Sequence, residues 1–369
     1  MPDRPFLTPL AQSLPATVPF VGPEAQERAR GKPFRARIGA NESGFGPAPS
    51  VQAAIAQAAA DVWKYADPEH FDLKAALAAH LGVAPANVVV DGGIDGLLGL
   101  VVRLFVDKGE PVVTSLGGYP TFNYHVAGFG GRLVTVPYEN DRENIQGLVE
   151  AARRENAPLL YMANPDNPMG SWWEAGEIQR AIDALPETTL LILDEAYCET
   201  APASALPPLD VTRPNVIRMR TFSKAYGLAG MRCGYAIGEE SVISAFDKVR
   251  NHFGMNRLAI TAALAALDDQ EYLRGVVADV IACRERVATI AAANGLASVP
   301  SATNFVTIDC GGDGAFALKV MQELIARDVF VRKPMAPRLD RCIRVSTGPA
   351  TEIDFFEEVF PQALAAARG

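Results

Sequence analysis

The chain has 369 residues, 49% of them hydrophobic, enough for one large core and a smaller second one. Its net charge of −9, with 34 dispersed lysines and arginines, excludes a nucleic-acid surface, which needs a concentrated basic face. No apolar run approaches the ~20 residues of a membrane span, and the start MPDRPFLTPL lacks a secretory apolar core, so a cytoplasmic location is expected. Five separated cysteines without CxxC spacing and four scattered histidines point to reduced thiols and no metal site.

The first 45 residues, rich in Pro and Gly, are expected to wrap across the molecule and pack with the smaller domain. From about residue 87 to 238 short β-branched runs alternate with amphipathic stretches, the pattern of a mainly parallel sheet with crossover helices. The predicted strands are VVV at 88, PVVTS at 111, RLVTVPY at 132, PLLYMAN at 158, TLLILD at 189, NVIRMR at 215 and CGYAIG at 233. Several are apolar throughout, as strands buried on both faces are. Helices are predicted over 96–106, 121–127, 145–155 and 174–184, and two or three more between 241 and 293. The rest, with NFVTIDC, a helix near 315–327, VFVRK, RCIRVSTG and a terminal helix, reads as a small α/β layer. The expected division is 1–45 as an N-terminal segment, 46–250 as the large domain and 251–369 as the small one.

Chemistry concentrates where these strands end, the edge at which parallel sheets collect their sites. NVIRMRTFSKAYGLAGMR leads a strand into Ser223 and Lys224 and then through a glycine-rich turn to Arg232. A hydroxyl and a guanidinium suit a phosphate, and a lysine amine suits a carbonyl carbon; Lys224 as a solvated surface lysine is the plainer alternative. TLLILDEAY puts Asp194 after an apolar strand, where a buried carboxylate needs a cationic partner such as a pyridinium nitrogen, unless it merely caps a turn. Tyr197 and, in YMANPDNPMG, Asn167 offer hydrogen bonds to a ring oxygen. VVVDGGIDG gives free backbone amides at Gly93, Ile94 and Asp95 for a phosphate. Phe122, in GGYPTFNY, is either a ring that stacks on a flat heterocycle or ordinary core.

The ordered set GID, YPTF, NPDNPMG, DEAY, SKAYGLAGMR and RVSTG resembles the class I/II aminotransferases of fold type I, most closely the histidinol-phosphate aminotransferases, from ANESGFGPAP at 40 to RVSTG at 344. The resemblance implies an α/β fold with a mainly parallel seven-stranded sheet and a small α/β domain, pyridoxal 5′-phosphate as cofactor, and amino-group transfer with a 2-oxo acid such as 2-oxoglutarate. It implies Lys224 as the Schiff-base lysine, Asp194 on the pyridine nitrogen, Tyr197 and Asn167 on O3′, and Phe122 as the stacking ring. Ser223, Arg232 and the amides of Gly93, Ile94 and Asp95 match the phosphate cup. Tyr65, in WKYADPE, matches the tyrosine that reaches the partner's site in a homodimer. Arg344 matches the arginine that clamps the substrate α-carboxylate, and Arg332 the one that meets a substrate phosphate, or else a rim charge. Asn41 and Phe20 complete the expected substrate contacts.

The pattern departs from the family at Phe20, where a tyrosine is usual, at Phe122, where a tyrosine is common, and at GIDG in the phosphate loop. The missing hydroxyls make the side-chain pocket more apolar and more permissive. The alternative on the same scaffold is a decarboxylase of the threonine-phosphate type.

Overall fold

The computed structural model describes residues 6–16 and 22–369; Phe20 lies outside them. A large lobe is built on seven strands: β2 (Val88–Asp91), β3 (Pro111–Ser115), β4 (Arg132–Val136), β5 (Leu159–Ala163), β6 (Leu190–Asp194), β7 (Val216–Thr221) and β8 (Gly234–Ile237), after a short β1 (Ala36–Arg37). All seven predicted sheet strands are present. Their order is β2-β8-β7-β6-β5-β3-β4. β7, β6, β5, β3 and β4 pair in parallel, whereas β8 runs antiparallel to both its neighbours. β5 and β6 are buried at every position because helices cover both faces of the sheet. One face packs Leu97, Val101, Phe122 and Phe246, the other Leu148, Ala152, Ile178 and Ile182.

The small lobe holds β9 (Ser298–Val299), β10 (Phe305–Asp309), β11 (Val329–Phe330) and β12 (Cys342–Ser346), with an antiparallel β12-β10-β9 sheet under the helices Gly314–Ala326 and Ala350–Arg368. β1 pairs in parallel with β11, and Lys32 meets Asp328 at 2.8 Å, so the N-terminal segment is stitched to this lobe. All five cysteines are free and buried.

The expected boundary at residue 250 falls too early. The helix Arg257–Asp268 presents Ala259, Ala262, Ala263 and Ala266 to the large-lobe core beside Val51, Leu73 and Leu77. Small side chains let it lie close against the helix Pro49–Ala58. The next helix, Gln270–Ala293, places Leu273 in that core and Cys283, Val287 and Ile290 in the small-lobe core, so the division passes through one continuous helix.

Candidate active site

The parallel strands β5, β6 and β7 all end on one edge, and each brings reactive side chains to it: Asn167 shortly after β5, Asp194 at the tip of β6, Ser223 and Lys224 just past β7. β2 delivers Gly93 to the same edge, and the reversed β8 begins there, just after Arg232. A cleft at this edge is lined by Ile94, Asp95, Tyr119, Tyr161, Asn167, Asp194, Tyr197, Thr221, Ser223, Lys224 and Arg232.

Asp194 is buried, and its Oδ2 accepts the Tyr161 hydroxyl at 2.6 Å while Oδ1 accepts the Ala196 amide at 2.9 Å. Burial pushes its carboxyl up to about 6, with the two hydrogen bonds opposing. The neighbouring Glu195 points the other way, as strand alternation requires. It binds Arg218 and, at 2.8 Å, Arg220, and these guanidinium groups outweigh the desolvation that would otherwise raise it. Of two adjacent acids, one faces the cleft and one locks the fold.

Lys224 donates to the Asn41 carbonyl at 3.2 Å, with its Nζ 5.6 Å from the Tyr197 ring centre. Desolvation, followed by the nearby Arg344, brings its ammonium down to about 8. Asn41 is a hub: its Nδ2 donates to the Tyr197 hydroxyl at 3.1 Å, its amide N–H to Ser346 at 3.0 Å, and its carbonyl also accepts Asn304 at 3.0 Å. It does this with φ at +56°, a conformation asparagine tolerates better than most residues.

One end of the cleft is formed by Ser223, Arg232 and the start of the helix Gly93–Phe105. Thr221 and Ser223 bond at 2.9 Å, and Arg232 reaches Ser223 at 3.4 Å and Asp95 at 3.7 Å. No side chain caps the helix start, so the amides of Gly93, Ile94 and Asp95 remain available. Gly93 has φ of +84°, and a Cβ there would lie 2.5 Å from Arg232; a Cβ on Gly234 would lie 2.8 Å from the Ile94 nitrogen. The cup is glycine-lined because backbone and guanidinium approach this closely.

Arg344, on β12, crosses from the small lobe and donates to the Asn167 side-chain oxygen. Its Nε is buried with no partner among the described residues, and burial, opposed by Tyr197 and aided by Arg332, brings its guanidinium down to about 10. Backbone bonds at 2.6 and 3.3 Å tie it to Arg332, itself partly desolvated. Tyr65 is exposed on the surface, packed on Phe253 at 4.8 Å.

Phe122 is not in the cleft. It is fully buried in the large-lobe core, stacked on Tyr161 at 4.6 Å and 19°. Pro120 opens the helix Pro120–Phe129, which turns Phe122 inward and leaves Tyr119, just before the helix, facing the cleft, with its hydroxyl donating to Asp95 at 2.7 Å. Tyr119, Tyr161 and Thr221 are among the cleft residues that sequence reasoning missed; for Tyr119 the proline at the first helical position was the available signal.

The donor set fits a planar, phosphorylated pyridine: a carboxylate for the ring nitrogen, an amide and a phenol near a ring oxygen, a desolvated lysine and a glycine-lined anion cup.

The chain matches the aminotransferase class I and II family over residues 37–359. It belongs to that family, whose members depend on pyridoxal phosphate. It is 34% identical to a histidinol-phosphate aminotransferase of Roseiflexus castenholzii over 97% of this chain and 98% of that one. It is 36% identical to an aromatic amino acid aminotransferase of Rhodococcus jostii over 88% and 89%. A solved histidinol-phosphate aminotransferase from Sinorhizobium meliloti, in complex with pyridoxal-5′-phosphate, superposes with a TM-score of 0.95 at 60% identity, covering 98% of each chain. The decarboxylase alternative loses its support: the threonine phosphate decarboxylase of Porphyromonas gingivalis is 18% identical, a likeness of fold alone. This aminotransferase moves an amino group between an amino donor and a 2-oxo acid.

Proposed function

We propose that the amino donor is histidinol phosphate and the acceptor 2-oxoglutarate, which makes the protein a cytoplasmic enzyme of histidine biosynthesis. The observation that carries this reading is the bridge between Arg332 and Arg344. Two guanidinium groups, one on β12 and one bridged to it just past β11, suit substrates that bring a phosphate in one half-reaction and carboxylates in the other. Names borne by relatives at 34–60% identity support it.

Pyridoxal phosphate held in this cleft would supply the electron sink for loss of the substrate's α-proton. Asp194 holds the ring nitrogen protonated, with Tyr161 fixing which carboxylate oxygen faces it. Asn167 and Tyr197 would hold the ring through its phenolic oxygen, with Tyr119 lining the same cleft. Ser223, Arg232 and the amides of Gly93, Ile94 and Asp95 hold the phosphate, joined by Tyr65 from the second subunit of a homodimer. Lys224, desolvated to a pKa of about 8, would hold the cofactor at its amine and, as the free base, would move the proton from the substrate's α-carbon. Arg344 binds the carboxylate of the acceptor and Arg332 the phosphate of the donor, with Asn41 beside the Lys224 amine.

The alternative donor class is aromatic amino acids, favoured by the 36% identity to the Rhodococcus jostii enzyme. Steady-state kinetics decide between them. A kcat/KM for histidinol phosphate at least about a hundredfold above that for phenylalanine, lost in Arg332→Ala, supports the proposal; the reverse preference sinks it.

A further inference from the structure

A clamp arginine in a buried site faces a conflict. A buried cation without a counter-charge is costly, yet a carboxylate closed upon it would occupy the place a substrate needs. Among the described residues Arg344 forms no ion pair; its side-chain hydrogen-bond partner is the neutral amide oxygen of Asn167, and its Nε is left over.

We propose that Asp166 is the standing counter-charge of Arg344, and that Tyr138 is the positioning residue that holds its carboxylate back from the guanidinium. The inference rests on the reading of Arg344 as the carboxylate clamp. Asp166 is 2% exposed and immediately precedes Asn167. Both its oxygens are occupied: Oδ1 accepts the Tyr138 hydroxyl at 2.6 Å and Oδ2 the Met169 amide at 3.0 Å. Its backbone is pinned as well, the amide donating to the Ser171 carbonyl at 2.8 Å and its own carbonyl accepting Gly170 at 3.1 Å. Asp166 thus adjoins the side-chain partner of Arg344 and is too fully bonded to swing. Burial raises its carboxyl to about 7 while Tyr138, the Met169 amide and Arg344 hold it down, so the counter-charge stands above that pH.

Tyr138 is buried among Met169, Leu339 and Cys342, so the residue that restrains Asp166 also touches the small-lobe segment entering β12, two positions before Arg344. Thr307, paired with Arg344 across β10 and β12, donates to the Pro168 carbonyl at 2.9 Å. The 166–169 turn and the arginine strand are therefore held in one frame. Freed of the tyrosine, one Asp166 oxygen needs a new donor, and Arg344, with an unpartnered Nε, is at hand.

The test is steady-state kinetics on the holoenzyme at pH 8, above the value to which burial raises Asp166. Tyr138→Phe, which removes one hydroxyl, is expected to raise KM for 2-oxoglutarate about tenfold while kcat and the cofactor absorbance stay at wild-type values. Adding Asp166→Asn is expected to return KM to within about twofold of wild type, because the competing charge is gone. Asp166→Glu, whose longer arm reaches the guanidinium without loss of Tyr138, gives the same KM rise by a second route. A Tyr138→Phe enzyme with wild-type KM, or a double variant as impaired as the single one, overturns the proposal. Arg344→Lys must itself raise KM; if it does not, the clamp reading fails and the inference with it, whereas failure of the rescue alone removes only the role of Tyr138 and Asp166.

Discussion

The Lys224 amine and the Asn41 carbonyl meet at 3.2 Å, joining the strand end of the large lobe to a segment that is also bonded to Ser346 and Asn304 of the small lobe. The group proposed to carry the cofactor thus sits where the two lobes converge, out of bulk water.

That burial has a thermodynamic signature. In the cofactor-free protein the Lys224 ammonium is disfavoured, its pKa falling from 10.5 to about 8. Between those pH values the unfolded chain holds a proton that the folded chain has released, so stability rises with pH across the window, and below pH 8 the full penalty is present. Cofactor-free Lys224→Met is expected to be more stable than wild type at pH 7, by at most roughly 3 kcal/mol, with the gap closing toward pH 10.5. Denaturant titrations at pH 7, 9 and 10.5 measure it; a constant gap refutes the assignment. The same variant is expected to lose the visible cofactor band and at least about a thousandfold in activity.

Tyr161 steadies Asp194 in its charged form by a 2.6 Å hydrogen bond. Removing a donor to a charged acceptor raises that acceptor's pKa, so Tyr161→Phe is expected to shift the acid limb of kcat/KM upward by about one pH unit, with little change on the alkaline side. A pH–rate profile that superposes on wild type would show that Asp194 does not limit the acid side.

Glu195 is the structural counterpart. It is fully buried between Arg218 and Arg220, so Glu195→Gln leaves two guanidinium groups short of their counter-charge. The expected loss is roughly 3 to 5 kcal/mol in chemical denaturation. An equal loss in Asp194→Asn, which severs no ion pair, would contradict the division of labour between the two acids.

How far the sequence disclosed this division depends on the residue. Asp194 and Glu195 are equivalent as letters after an apolar strand; only the two-residue periodicity of β6, continued one position past its end, says that they point apart. The seven sheet strands were legible because parallel strands buried on both faces leave unbroken apolar runs. Phe122 and Tyr119 were not told apart, because both are aromatics within a single turn, and the choice hangs on Pro120 fixing where the helix starts. The lobe boundary was missed because the Ala-rich helix Arg257–Asp268 carries no mark of which core it serves: its small side chains gain their meaning only from the helix Pro49–Ala58 they lie against. Asn41 looked peripheral for a similar reason, since its four partners come from segments more than 150 residues away.

Gly93 offers the most direct test of the anion cup. With φ at +84° and only 2.5 Å between the place a methyl group would take and Arg232, Gly93→Ala strains the backbone and displaces the guanidinium together. Cofactor affinity, measured by absorbance titration of the cofactor-free protein, is expected to fall at least about tenfold, while the global unfolding midpoint changes little. Unchanged affinity would place the phosphate elsewhere.

The helix Gln270–Ala293 enters both hydrophobic cores, Leu273 in one and Val287 in the other, with no chain break between. It works as an axle rather than a tether. The small lobe cannot slide across the large one without tearing Leu273 or Val287 out of its packing. Arg344 lies on the small-lobe side of that passage and Lys224 on the large-lobe side, so the angle the rod fixes between the two cores also fixes the distance between the proposed carboxylate clamp and the amine.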